Sequence, residues 1–499
     1  MREQSMITAP AERGLLRAAR GLLRWFDRTP RLLLFGFVVS VLGTFELSRV
    51  HPAPWTLMGT RLDSLEWTLT ALENGGPILT AQPPGSSDLY ASGGGDDQGL
   101  FLLIPWLANV LGWEDPVNLL RWTALIALGV AIALFPWMVR AISGSTLAAL
   151  MSPFALLIGL WLMPLSDIYW VATWVALLLI PLVLILDRRW PRRGLPLLLG
   201  LLVLASAASA IRSQAGLAVL ICAALVVFRR PWSGWMKSGA VVLCVVAYLS
   251  VGTFGIAAAR EVRESQLGDR TLASQTGSSH PLWHSAYIGY GYLPNDWDIH
   301  YFDDIGYRDV LREDPKAKFN GPAYHRILRE RYLSLLVDHP VHTAKVYGAK
   351  LVVALRPAVP ALLALAILSP WLLLVDPRRR RWRRDALFLT VAALVGLAAP
   401  MVATPFSAYL LGWLPVVLLA AILAGGAALS AWPSPLTYAR SLGRSDGSPG
   451  RRKAVLGTAA AGLVVLAVVV VIAPGIEREA LDWNSTPPPR VTQPADAVN

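Results

Sequence analysis

The sequence predicts an all-α polytopic membrane protein, and three observations carry that prediction. The 499 residues are 55% hydrophobic and only 16% charged. Apolar runs repeatedly exceed the roughly 18 residues that a membrane-spanning helix requires. The basic residues behind the formal net charge of +12 fall in short clusters between those runs rather than on one continuous face. Clusters of that kind orient a chain in the bilayer and speak against nucleic acid as a partner. The two cysteines, Cys222 and Cys244, each lie inside an apolar run, so neither a disulfide framework nor a thiolate metal site is implied.

Residues 1–30 read as a cytoplasmic amphipathic segment. Leu15, Leu16, Ala19, Leu22, Leu23 and Phe26 share one helical face, while Arg13, Arg17, Arg20, Arg24 and Arg28 lie largely elsewhere, as in a helix resting on anionic headgroups. The first span follows at about 31–49. No small-x-small cleavage pattern closes it, which reads as a retained anchor. Further spans are expected near 117–138, 144–163, 167–187, 195–211, 217–235, 238–258, 357–375, 385–405, 408–431 and 454–473, about eleven in all. Residues 31–258 thus form one transmembrane module, with a first outer loop at 50–116. A large outer loop occupies 259–356, and C-terminal spans occupy 357–473. The polar, proline-rich segment 474–499 reads as a disordered outer tail. Its Asn484-Ser485-Thr486 matches a glycosylation sequon but is followed by proline, and it carries no weight.

Residues 99–113 are apolar but make a helix of only about 22 Å, too short for an easy crossing. Charge decides the matter. If this segment stays on the outer face, the clusters at Arg188, Arg189, Arg192 and Arg193, at Arg229, Arg230 and Lys237, at Arg378 to Arg384, and at Arg451, Arg452 and Lys453 all join the basic N-terminus on one side. The segment is therefore expected to be re-entrant or interfacial, with the N-terminus in, the C-terminus out and both long loops extracytoplasmic. The bilayer is accordingly the first partner, and the plasma (inner) membrane the expected location.

Read as a helix, residues 61–74 place Asp63, Glu66 and Glu73 along one stripe beside an apolar stripe of Leu65, Leu69 and Leu72. One reading is a solvated polar face; the other is a catalytic carboxylate. A turn at Asn74-Gly75-Gly76-Pro77 follows, then a second acidic group at Asp96 and Asp97, then the apolar helix that contains Pro105. This arrangement resembles the GT-C class of membrane glycosyltransferases, which includes protein O-mannosyltransferases and the lipid A aminoarabinose transferases. In that class the first outer loop opens with Asp-Glu-x-x-Tyr-x-x-x-Ala-x-x-x-x-x-x-Gly. Here Asp63 stands for the aspartate, Trp67 for the aromatic, Ala71 for the small residue and Gly75 or Gly76 for the glycine. The resemblance spans about residues 30–190 and implies that Asp63 is a general base. Ser64 departs from the family's glutamate, which passes the second acidic role to Glu66, Asp96 or Asp97.

The resemblance implies a polyprenyl-phosphate sugar donor and a glycan, lipid or protein acceptor. The acceptor hydroxyl must lose its proton while lipid phosphate leaves the sugar. Arg61 or Arg212 suits that phosphate, because a guanidinium fits it bidentately. Asp167 on a short outer connection reads either as a donor-site residue or as a helix cap.

Within the large loop, His280, His284, Tyr287, Tyr290, Tyr292, Trp297, His300, Asp303, Asp304 and Tyr307 gather in about thirty residues. Aromatic rings stack on sugar faces and acids or imidazoles take hydroxyls, so a carbohydrate or headgroup contact is expected at His280, His284, Tyr287, Asp303 and Asp304. The i,i+4 spacing of His280 and His284 leaves a divalent cation open as a cofactor, although Pro281 starts a helix after His280 and weakens the pairing. Lys345, Lys350 and Arg356 lie where a lipid phosphate would be met. Two other readings remain: a glycan polymerase or ligase of the O-antigen type, which would rest on Arg212, His280 and His284, and a lipid or solute transporter, which the nearly charge-free spans disfavour.

Overall fold

The computed structural model describes residues 21, 23–50, 59–92, 97–162, 169–268, 272, 281–318, 321–375, 380–431 and 449–485. The chain is predominantly helical. Eight helices are long and apolar enough to cross a membrane, and four shorter apolar helices accompany them among the described residues. The first module packs α1 (Thr29–Val50) along α4 (Pro116–Ser143), which also meets α5 (Thr146–Leu162) and α6 (Trp170–Arg188). The Ser40 hydroxyl donates to the Gly129 carbonyl at 2.6 Å, a close approach that small residues permit between apolar helices. Next come α7 (Gly194–Ile211), α8 (Leu217–Phe228) and α9 (Gly234–Leu249). The later helices α15 (Val359–Val375), α16 (Arg380–Gly396) and α19 (Leu414–Ala431) close against α5, α8 and one another. One continuous buried core runs from Val39 to Ala428, so the two predicted modules fold as a unit.

The clustered basic residues meet at one end of this bundle. Arg140 Nε donates to Asp27 at 2.9 Å, Arg188 pairs with Asp385, and Asp187 pairs with Arg229 (2.8 Å) and Arg230. The segments that form the candidate site lie at the opposite end. There α2 (Gly59–Glu73) leads through the short antiparallel ribbon β1 (Thr80–Ala81) and β2 (Tyr90–Ala91) into α3 (Gln98–Leu111). This last helix is 14 residues long and ends at Gly112 in the left-handed conformation, φ +62°. Three residues on, Asp115 caps α4 by accepting from the Asn118 N–H at 2.8 Å. The tight αL turn and immediate restart keep α3 on the same side as α2.

Three helices run past the expected span ends. From Gly234, helix continues without a break through a wide turn at Ser250–Gly255 and α10 (Ile256–Leu267), and Ser206 Oγ accepts two N–H groups freed there, at 2.9 Å each. Residues 259–267, expected in the loop, are thus helical. Residues 340–356, expected in the large loop, form α14 (Pro340–Leu355), which passes through a single tight turn at Arg356–Ala358 into α15. The expected disordered tail is corrected as well: α20 (Pro449–Trp483) carries helix through Pro474 to Trp483, and residues 486–499 lie outside the described residues. An internal proline costs a helix about 3 kcal/mol, and docking of the following turn offsets it. At 35 residues α20 is about 52 Å long, against a hydrocarbon core of about 30 Å.

The ends of these long helices carry a small helical domain, α11 (Leu282–Tyr290), α12 (Asp303–Glu313) and α13 (Pro322–Asp338). Its own core contains Tyr287, Tyr290, Ile299, Ile305, Tyr307, Tyr324 and Leu328.

Candidate functional site

Helix α2 buries Leu65, Thr68, Leu69 and Ala71 against the bundle. Asn74-Gly75-Gly76 then stops it in a Schellman motif: Gly75 at φ +71° donates to Leu72 O at 3.0 Å, and Gly76 donates to Ala71 O at 2.7 Å. Glycine takes that φ without strain, which explains Gly75, while a Cβ at Gly76 would stand 2.6 Å from Ala71 O. Residues 61 and 63 are two apart, so their side chains point about 200° apart around the helix. Arg61 turns inward, whereas Asp63 and Glu66 are exposed. The acidic stripe is a solvated face, and the fold does not bring Asp63 or Glu66 into the buried polar cluster.

That cluster forms where α3 begins. Gly99 lies so close to the end of α7 that a Cβ would sit 2.6 Å from the Ala210 backbone. The approach seals Asp97, which is fully buried, pairs with Arg61 and accepts a hydrogen bond from the Tyr169 hydroxyl. Beside it, Gln98 Oε1 accepts from Arg260 Nε at 2.6 Å. Arg212, the residue after α7, is only 3% exposed. Its guanidinium carbon lies 4.7 Å from the Tyr169 ring centre and 5.0 Å from that of Tyr409, within cation–π range of both. Tyr409 belongs to the one-turn helix α18 (Ser407–Leu410), tethered by Gln214 Nε2 donating to Ala408 O at 2.7 Å.

The small helical domain reaches the same place through Tyr301. The Tyr301 hydroxyl donates to the Tyr409 hydroxyl at 3.1 Å. Burial of that hydroxyl and the neighbouring Tyr409 hold Tyr301 well above the ordinary phenol range, so it remains a neutral donor. A polar line therefore runs Arg61, Asp97, Tyr169, Arg212, Tyr409, Tyr301. It joins the segment between α1 and α4 to the segment between α10 and α14.

Most of the aromatics expected to face a sugar instead build the domain core. Tyr287 donates to Asp309 Oδ2 at 2.6 Å, and both are buried. Burial, then the Asp309 charge, drives the Tyr287 phenol above its ordinary range and leaves its hydroxyl committed. His284 is 1% exposed, with Nδ1 2.6 Å from the Tyr324 hydroxyl and Nε2 3.2 Å from Asp303 Oδ1. Gly306 packs beneath this imidazole, where a Cβ would be 2.6 Å from Nδ1. Asp303 and the exposed Asp304 occupy the first turn of α12, where carboxylates meet the positive end of the helix dipole. The three cations expected at a lipid phosphate are also engaged: Lys350 donates to Met401 O at 3.0 Å, Lys345 lies 3.8 Å from Glu479, and Arg356 pairs with Glu477.

Asp96, Asp167 and His280 lie outside the described residues. Helix α11 starts after Pro281, as the proline predicts. Among the described residues, no three or more His, Cys, Asp or Glu side chains gather as a metal-ligand set. Three residues of the cluster were not legible beforehand. Tyr169 reads in sequence as an interfacial anchor, Tyr301 as one aromatic among many, and Tyr409 sits in an apolar connection with no polar pattern around it. Arg260 falls in a segment expected to be loop.

Buried Arg308 organises the loop beneath Tyr301, donating to Asp309 Oδ1 at 3.0 Å, Asp298 Oδ2 at 2.7 Å and Asp298 O at 2.9 Å. Burial acts to raise Asp298, but the Arg308 and His300 hydrogen bonds outweigh it and hold its carboxyl below 3.8. A lowered folded-state value stabilises the loop above pH 3.8 and loses that contribution as pH falls through the folded value. Amide exchange across residues 293–301 should therefore be pH-insensitive in intrinsic-rate-corrected terms from pH 7 to 5 and accelerate below pH 4. Asp298→Asn should remove the acid-induced part of that change.

Comparison with protein-family models, with curated proteins and with solved structures finds no match for this chain.

Proposed function

We propose that this protein is an integral-membrane glycosyltransferase that takes a sugar from a polyprenyl-phosphate-linked donor and places it on a glycan, glycolipid or protein acceptor. In this reading the N-terminus is cytoplasmic, about eleven segments span the plasma membrane, and the site faces the extracytoplasmic side. The observation that carries the reading is Arg212, a guanidinium buried at the end of the bundle opposite the basic clusters and flanked by Tyr169 and Tyr409. A cation held there by aromatic rings suits the phosphate of a lipid whose tail stays in the bilayer.

In the transfer step the acceptor oxygen bonds to the anomeric carbon as the bond from that carbon to the phosphate oxygen breaks. The phosphate leaves with the electron pair, and the acceptor proton passes to a carboxylate. Arg212 and Arg61 stabilise the departing phosphate, while Asp97 holds Arg61 and Tyr169 in place. Asp63, on the solvent face of α2, is retained as the base only if its removal stops transfer.

The test is transfer of labelled sugar from a polyprenyl-phosphate donor by the full chain in proteoliposomes. Product formed by wild type and lost in Asp97→Asn supports the reading; solute or lipid uptake with no transfer replaces it with a transporter. The exposure of Asp63, set against the burial of Arg212, favours one second reading, the polymerase or ligase type, which depends on arginine and histidine. Loss of transfer in His280→Ala as large as in Arg212→Ala selects that type; loss in Arg212→Ala with transfer kept in His280→Ala retains the first reading.

A further inference from the structure

The last helix does more than cross the bilayer. Beyond Trp483 its Asn484 side chain uses both ends: Oδ1 accepts the Tyr301 N–H at 2.7 Å, while Nδ2 donates to Tyr292 O at 3.2 Å and to Ala480 O at 2.8 Å. Trp483 stacks on His300 with ring centres 4.0 Å apart and planes 11° from parallel, and its Nε1 donates to Ile299 O at 3.2 Å. His300 Nδ1 lies 3.1 Å from the Trp483 carbonyl. Four contacts from two adjacent residues thus converge on the strand of loop from Ile299 to Tyr301. The far end of Tyr301 is the hydroxyl that donates to Tyr409, beside Arg212.

We propose that Asn484 is a positioning residue that sets Tyr301 against Tyr409, making the end of the C-terminal helix part of the candidate site. A side-chain amide that binds one backbone N–H and a nearby carbonyl fixes the main chain in both directions, as a sheet neighbour would. Without it, the Tyr301 N–H loses that acceptor. The same contacts commit the amide nitrogen of the Asn484-Ser485-Thr486 sequon to the fold. The role in chemistry rests on the functional reading above; the positioning itself does not.

The test places 3-fluorotyrosine at position 409 of the full chain in nanodiscs and reads its fluorine shift. Asn484→Ala should move the signal toward that of Tyr301→Phe. Asn484→Asp, which keeps an oxygen acceptor for the Tyr301 N–H, should stay nearer wild type. A signal unmoved by Asn484→Ala but moved by Tyr301→Phe would overturn the proposal. If the alanine variant does not fold, hydrogen exchange in the wild type decides: slow exchange at the Tyr301 amide is expected, and fast exchange in the folded protein overturns the assignment. In the transfer assay Asn484→Ala should lower kcat several-fold at unchanged donor KM. Absence of transfer by the wild type would count against the functional reading alone, because the fluorine measurement does not depend on it.

Discussion

Arg212→Ala is expected to lower sugar transfer by about 10²- to 10³-fold, the usual loss when one preorganised stabiliser of developing anionic charge is removed. Arg212→Lys should recover only part of it, since an ammonium lacks the planar fork that grips phosphate and stacks on rings. Asp63→Ala should change the rate little, because Asp63 points to solvent on the face of α2 away from Arg61. Measuring kcat and KM for all three with one donor separates the cases. Equal losses in Asp63→Ala and Arg212→Ala would restore Asp63 as base, and full activity in Arg212→Ala would remove the proposed phosphate site.

Gly99→Ala should destabilise the protein and disturb the buried polar cluster at once. The new carbon would stand 2.6 Å from the carbonyl carbon and oxygen of Ala210, so backbone must move on one side. Overpacking of this kind costs about 1–3 kcal/mol. The shift also lands on the residue two positions before, Asp97, whose burial with Arg61 and Tyr169 depends on that approach. A lower unfolding temperature in detergent and loss of transfer are expected together. Ala210→Gly should fail to rescue either, because it removes only one of the three close atoms. Recovery in the double variant would show that the contact is merely side chain against side chain.

Arg212 and Asp63 show what a sequence pattern specifies and what it leaves open. Arg212 could be singled out because a charge next to an apolar run is costly, and such a residue must be paired or useful. Its ring neighbours could not, since Tyr169 and Tyr409 are 240 residues apart in the chain and meet only when α18 folds back over the end of α7. Asp63 shows the converse failure. Its helical stripe was correctly periodic, but periodicity names the stripe and not the side it faces. The aromatic loop failed for a related reason: Tyr287, Tyr290, Tyr307 and Tyr324 have the composition of a sugar platform and the burial of a core. A domain this small needs large rings to bury enough apolar area, and that demand produces the same residues.

What the sequence determined by itself was the solvent. Long apolar runs and clustered basic residues require a helical protein in a bilayer, because lipid offers backbone groups no hydrogen-bond partner and each must be satisfied within its own helix. The local stop at Asn74-Gly75-Gly76 was legible for the same reason, since it depends on φ and nearest carbonyls. Only the tertiary structure decided which polar residues leave the surface. Arg61, Asp97, Tyr169, Arg212, Tyr409 and Tyr301 come from six separate segments, and their burial is set by the close approach of α3 to α7 and by Asn484 at the end of α20. Contacts between distant segments depend on shape complementarity of packed helices, and no local pattern encodes that.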